Sequence, residues 1–164
     1  FTSNPIRQRV TGYDLMLGVF DKMKDMGKTA YFFGGAPEIA DRAKFAIEKR
    51  FPGLKIVGTA NGYFDNEREK EIIDEINTLK PDLLLPKQEK WIYDHIKDLN
   101  IKAAAGVGGS FDGWSGNVQR APEFFIKHNL EWFYRLVKQP SRFVRMLQLP
   151  LFMIVVIRNR IFGK

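Results

Sequence analysis

The sequence of 164 residues contains no cysteine and only two histidines, His95 and His128. Without cysteine there is no disulfide, no thiolate metal site and no cysteine nucleophile, a composition that agrees with a reducing compartment. Two histidines far apart in sequence speak against a histidine-built metal centre. Long apolar runs are missing as well. The run Leu149–Ile157 near the end is nine residues and contains Pro150, whereas a membrane-crossing helix needs about 20. The first residues, Phe-Thr-Ser-Asn-Pro, show neither an initiator Met nor a signal-peptide pattern; they read as a cut end, with further sequence expected upstream. Acid is absent from residues 135–164. Seven of the 26 Lys and Arg (Arg135, Lys138, Arg142, Arg145, Arg158, Arg160, Lys164) and none of the 19 Asp and Glu lie there, so residues 1–134 are formally neutral. A neutral body with a basic, apolar tail fits a protein working at an anionic membrane surface. It equally fits a last helix packed on the core with its bases in water.

What is present describes a folded domain. A composition 45% hydrophobic and 13% aromatic can fill a core, which disordered chains cannot, and the length suits one domain. Thr11 is placed to cap a helix, with Asp14 at the capping-box position. Leu15, Met16, Val19, Phe20 and Met23 then recur at helical spacing up to Gly27. Thr29–Phe33 is a short apolar run closed by Gly34-Gly35 and reads as a buried strand. Pro37 opens a second helix with Ile39, Ala40, Ala43, Ala46 and Ile47 inward. The segment 54–58 is a second strand, and Asn66 caps a third helix carrying Ile72, Ile73 and Ile76. The segment 82–85 is a third strand, Pro86 starts a helix through Trp91, Ile92 and Ile96, and 103–107 is a fourth strand. Strands and helices alternate without hairpin signals, which predicts a parallel sheet wrapped by helices. Past Asp112 the pattern changes to a turn at 114–117, an aromatic helix after Pro122, a further helix after Ser141, and a break or kink at Pro150.

Ligands of an open parallel sheet bind beyond the carboxyl ends of its strands. The loops expected there are 34–37, 61–64, 86–89 and 106–112. The last is the richest: its glycines, Gly108 and Gly109 among them, permit close backbone approach, and Asp112 can accept from a ribose diol or serve as a helix cap. The loop is neither a P-loop nor a Gly-x-Gly-x-x-Gly turn. Tyr63 offers a flat face for a base or a packing surface. Gln88 can donate and accept, or stand exposed in a first helical turn. Lys87 and Glu89 read as solvated, Arg9 as a phosphate contact or a surface ion pair, Trp91, Trp132 and Phe133 as core, and the two histidines as surface polar groups. The tail lacks any base-reading motif, which weighs against nucleic acid as a partner.

The segments 9–16 (RVTGYDLM), 51–58 (FPGLKIVG), 61–64 (NGYF), 86–92 (PKQEKWI), 106–112 (GVGGSFD), 120–122 (RAP) and 130–136 (LEWFYRL) together resemble the WecG/TagA/CpsF glycosyltransferases. The resemblance spans nearly the whole chain. It implies an α/β, Rossmann-like parallel sheet flanked by helices over residues 1–134, with a basic amphipathic helical appendage over 135–164 that associates with membrane. The implied activity is inverting and metal-independent, with no cofactor. It moves a sugar, of N-acetylmannosamine type or related, from a UDP-sugar to a polyprenyl-diphosphate-linked sugar. The implied setting is the cytoplasmic face of a bacterial membrane, in teichoic acid or other surface-polysaccharide synthesis; a homo-oligomer is compatible with it. Position by position, Asp112 resembles the carboxylate on the uridine ribose, with Gly108 and Gly109 in the same UDP-sugar-binding loop, and Tyr63 the residue beside uracil. Gln88 resembles a polar contact in the catalytic pocket, Arg9 a cation at the diphosphate, and Arg135, Arg142 and Arg145 the basic residues of a lid. The family's general-base aspartate lies upstream of Phe1, so no residue here inherits that role. The sequence also lacks the glycine-containing loop of about five residues that relatives carry before the Pro-Lys-Gln-Glu motif; Leu85 runs directly into Pro86.

Overall fold

The computed structural model describes residues 10–86, 88–118, 121–128, 130–138, 140, 143 and 148–162. The chain forms two compact units that divide between Gln119 and Arg120. In the first, the elements run α1 (Gly12–Asp25), β1 (Thr29–Phe33), α2 (Ile39–Arg50), β2 (Lys55–Ala60), α3 (Asn66–Leu79), β3 (Leu83–Pro86), α4 (Glu89–His95), β4 (Ala103–Ala104) and α5 (Ser110–Trp114). All strand pairs are parallel, in the order β2-β1-β3-β4. The expected α/β sheet with flanking helices is therefore what forms.

The two faces of the sheet follow from the period of two along each strand. Ala30 and Phe32 of β1, with Leu83 and Leu85 of β3, pack against Met16, Phe20 and Met23 of α1, Ala43 and Ile47 of α2, and Phe111 and Trp114 of α5. Tyr31, Phe33 and Leu84 point the other way, onto Ile72 and Ile76 of α3 and Trp91 of α4. Both faces are covered, which is why β1 and β3 are continuously apolar rather than alternating. β2 bulges at Val57: Ala30 pairs with Ile56, but Tyr31 pairs with Gly58.

The amino ends of β1, β3 and β4 meet at one carboxylate. Asp82 accepts from the Thr29 amide at 2.9 Å and from Lys102 Nζ at 2.6 Å, and lies 3.4 Å from Lys28 Nζ. Thr29 Oγ1 also donates to Asp82, at 3.2 Å. The Lys102 ammonium and the Thr29 amide hold the Asp82 carboxyl well below the usual carboxylate range.

Several boundaries move from where the sequence put them. The Thr11 cap is present, with the Asp14 amide donating to Thr11 Oγ1 at 3.2 Å and the hydroxyl donating to the Asp14 carboxylate at 2.7 Å. α2 starts at Ile39 rather than Pro37, after Glu38 in a left-handed conformation. The cap of α3 is Asp65, not Asn66, because the Asp65 carboxylate accepts from the Arg68 amide. Pro86 ends β3 instead of opening α4. Lacking an N–H, it closes the strand while its carbonyl still accepts from Val107.

The second unit contains α6 (Glu123–Lys127), α7 (Glu131–Lys138) and α8 (Gln148–Phe162). Trp132 and Phe133, expected in the core, are 51% and 45% exposed, while Trp91 is buried as expected. Pro150 does not break the last helix. It stands in the first turn of α8, where no intrahelical bond from its nitrogen is required. From Leu151 to Ile157 every side chain of α8 is apolar and at least one-third exposed, so over that stretch the helix has no polar face; charge resumes at Arg158. Among the described residues no helix is long and apolar enough to cross a membrane. The helix expected after Ser141 falls on residues of which only Phe143 is described before α8.

Candidate functional site

The order of the strands locates a crevice. Leaving β1, the chain goes through α2 to β2 on one side; leaving β3, it goes through α4 to β4 on the other. The connections therefore part between β1 and β3, and their carboxyl ends frame the opening where such sheets take ligands.

Backbone bonds tie the loops at that edge to one another. The Gly34 amide donates to the Ala60 carbonyl at 2.8 Å, and the Gly62 amide to the Gly35 carbonyl at 2.8 Å. On the far side the Val107 amide reaches the Pro86 carbonyl at 3.1 Å. Tyr63 follows directly: its amide donates to Asn61 Oδ1 at 2.9 Å in an Asx turn, and its ring is 70% exposed. The ring thus presents an open face at the rim rather than packing into the core. Beneath this loop, Phe64 packs on Phe33 (ring centroids 5.3 Å apart) and Phe33 meets Trp91 edge-on at 4.6 Å.

The glycine loop after β4 lies at the same edge. Gly108 has φ +50°, a conformation that favours glycine, and a Cβ there would meet open space. Gly109, not Asp112, occupies the cap position of α5. The cap reading of Asp112 is thereby replaced: its carboxylate lies inside the first turn, half-buried, and accepts from Asn117 Nδ2 at 3.3 Å. With that long contact its only hydrogen bond among the described residues, the carboxylate retains capacity for further donors. Gln88 caps α4 by position only; its side chain makes no capping bond and is exposed. Tyr63, Gln88, Gly108, Gly109 and Asp112 thus share the carboxyl edge of one sheet.

The other expected residues stand elsewhere. Arg9, Lys87, Arg142 and Arg145 lie outside the described residues, and of Arg135, in α7, no side chain is described. His128 is exposed, with Nδ1 2.8 Å from the Phe124 carbonyl. His95 is not a free surface group. Its Nε2 lies 3.2 Å from Glu69 Oε1, which also accepts from the Trp91 indole at 2.8 Å. This Glu69–Trp91–His95 cluster joins α3 to α4: Trp91 and His95 neighbour each other on α4, their rings 4.8 Å apart, but Glu69 lies 22 residues from Trp91, so the link between the two helices carries no local sequence signal. Among the described residues no three His, Asp or Glu side chains stand together as a metal site.

The model of the WecG/TagA/CpsF glycosyl transferase family matches residues 1–164. The chain belongs to the WecG/TagA/CpsF family. Similar curated members of that family come from Bacillus spizizenii (37% identical over 160 residues, 94% of this chain and 62% of the relative) and Bacillus subtilis (34% over 166 residues, 96% and 63%). Another is from Staphylococcus aureus (32% over 154 residues, 91% and 60%). Each is named an N-acetylglucosaminyldiphosphoundecaprenol N-acetyl-beta-D-mannosaminyltransferase. This WecG/TagA/CpsF chain spans less than two thirds of the length of these relatives.

Proposed function

We propose that this chain forms the nucleotide-sugar-binding part of an inverting glycosyltransferase. The enzyme moves an N-acetylmannosamine-type sugar from its UDP donor to a polyprenyl-diphosphate-linked N-acetylglucosamine in wall teichoic acid or related polymer synthesis. The observation that supports the reading is that Tyr63, Gln88, Gly108, Gly109 and Asp112 all follow the carboxyl ends of strands of one parallel sheet, in a chain whose relatives bear that transferase name. In this reading Tyr63 stacks on uracil, Asp112 accepts from the ribose hydroxyls, and the bare backbone at Gly108 and Gly109 lets the nucleotide approach.

The acceptor hydroxyl loses its proton to a base and attacks the anomeric carbon from the side opposite UDP. The bond to the diphosphate oxygen breaks, and UDP carries away the electron pair. The base is proposed to come from sequence upstream of Phe1. Arg9, Arg135, Arg142 and Arg145 would supply positive charge to offset the negative charge that develops on the leaving diphosphate, without requiring a metal ion. The stretch from Arg135 onward is proposed as a lid that docks on anionic lipid at the cytoplasmic face, with α8 as the lipid contact. The partial coverage of its relatives favours one second reading, in which this chain alone binds UDP-sugar without turning it over.

Titration calorimetry with UDP tests the proposal. Binding is expected without added divalent metal and should weaken about tenfold or more in Asp112→Ala, as for loss of hydrogen bonds to a charged group. Strictly Mg²⁺-dependent binding would count against it. Transfer by a form extended upstream, but not by this chain, would favour the second reading for the isolated chain.

A further inference from the structure

One carboxylate at the crevice has no role in the site as described. Glu89 is the first residue of α4, and its side chain is exposed, with no hydrogen bond or ion pair among the described residues. It is nevertheless not adrift in solvent. A Cβ placed on Gly106 would stand 2.6 Å from Glu89 Oε1 and 2.8 Å from its Cγ and Cδ. The Glu89 side chain therefore lies flat against the Gly106 backbone, in space that only glycine leaves open. The bond from the Val107 amide to the Pro86 carbonyl fixes this meeting by holding the two loops together. Glu89 is thus laid across the start of the loop that continues to Gly108, Gly109 and Asp112.

We infer that Glu89 accepts hydrogen bonds from the transferred sugar of the donor, an inference that rests on the UDP-sugar reading above. The chemistry of the group chooses the part of the ligand. An ionised carboxylate is acceptor-only and would repel a diphosphate at close range, so it suits a neutral group rich in O–H and N–H donors. The ribose is assigned to Asp112, which leaves the hydroxyls and acetamido N–H of the hexose. A carboxylate held by contact and unpaired among the described residues loses little freedom on accepting them. Glu89 is accordingly a specificity-determining contact for the sugar and not for the nucleotide.

Calorimetry with two probes, UDP and UDP-N-acetylmannosamine, tests this on the parent chain, Glu89→Ala, Glu89→Gln and Gly106→Ala. UDP affinity should be the same in all four, which also reports that each variant is folded. Affinity for the UDP-sugar should fall about tenfold or more in Glu89→Ala and less in Glu89→Gln, whose amide oxygen still accepts. Gly106→Ala, which displaces the carboxylate without removing it, should lose affinity for the UDP-sugar alone. Unchanged UDP-sugar affinity in Glu89→Ala, or a parallel loss of UDP and UDP-sugar, would overturn the inference. Failure of the parent chain to bind UDP would instead overturn the underlying reading, and the two failures are told apart by that control.

Discussion

The Gly62 amide donates to the Gly35 carbonyl across 2.8 Å, and this bond holds the loop after β2 against the loop after β1. Approach is so close that a Cβ on Gly62 would come within 3.3 Å of Gly34 Cα and 3.4 Å of Gly35 N and O. The atoms it would press on are backbone, with no rotamer to escape into. Gly62→Ala is expected to cost about 1–3 kcal/mol of stability and, by displacing Tyr63, to weaken UDP binding several-fold. Thermal melts and calorimetry on the same protein check both.

A second close approach lies inside the sheet. A Cβ on Gly58 would sit 2.4 Å from Cε2 and 2.7 Å from Cδ2 of Tyr31, whose ring is fully buried. Gly58→Ala should lower the melting temperature, by the several degrees that correspond to about 1–3 kcal/mol. Adding Tyr31→Leu should recover part of the loss. A double-mutant cycle showing strict additivity would mean that the Tyr31 ring is not the obstacle.

Acid stability should depend on Asp82. Its pKa is lowered in the folded chain by the Lys102 ammonium and the Thr29 amide. The stabilisation it provides is therefore complete above the ordinary carboxylate value of about 3.9 and is lost as pH falls below that, through the lowered folded value. Asp82→Asn should be less stable than the parent at pH 7, by about 1–3 kcal/mol, and should lose less of its remaining stability between about pH 5 and pH 2. Urea melts across that range give the two slopes. Parallel pH profiles would remove Asp82 from the account.

For the second unit, the proposed lipid contact predicts co-sedimentation with vesicles containing anionic lipid, weakened by salt only in part because burial of apolar side chains adds to charge. Phe152→Glu with Ile154→Glu should abolish it while leaving UDP binding unchanged. Binding to duplex DNA with no binding to vesicles would refute the lipid role of α8.

Much of the sheet was legible because local cues and burial agree. β1 is a five-residue apolar run bounded by glycines, and Thr11 with Asp14 marks the start of α1. Where local cues are ambiguous, tertiary contacts decide. Proline both starts helices and ends strands, and at Pro86 the pairing with Phe33 decided for the strand. Asp65 and Asn66 are equally good caps in composition, and only the geometry of the Arg68 amide separates them. Ala103–Val107 reads as a full strand, yet β4 is only Ala103–Ala104, although the Ala105 and Val107 amides still donate to the Leu84 and Pro86 carbonyls. At the site, Tyr63, Gln88 and the glycine loop could be placed from strand ends alone. Asp82, Glu69 and Glu89 could not, because what gives each its meaning is a partner roughly 20 residues away across the sheet or between helices.

The continuous apolar surface of α8 has a practical consequence in water. A helix with seven exposed apolar side chains in succession, Leu151 to Ile157, gains by covering them with anything available, including another copy of itself. Sedimentation or gel-filtration size measured on the whole chain will therefore rise with protein concentration and fall with mild detergent. A stoichiometry that belongs to the α/β unit should instead persist when Phe152 and Ile154 are charged.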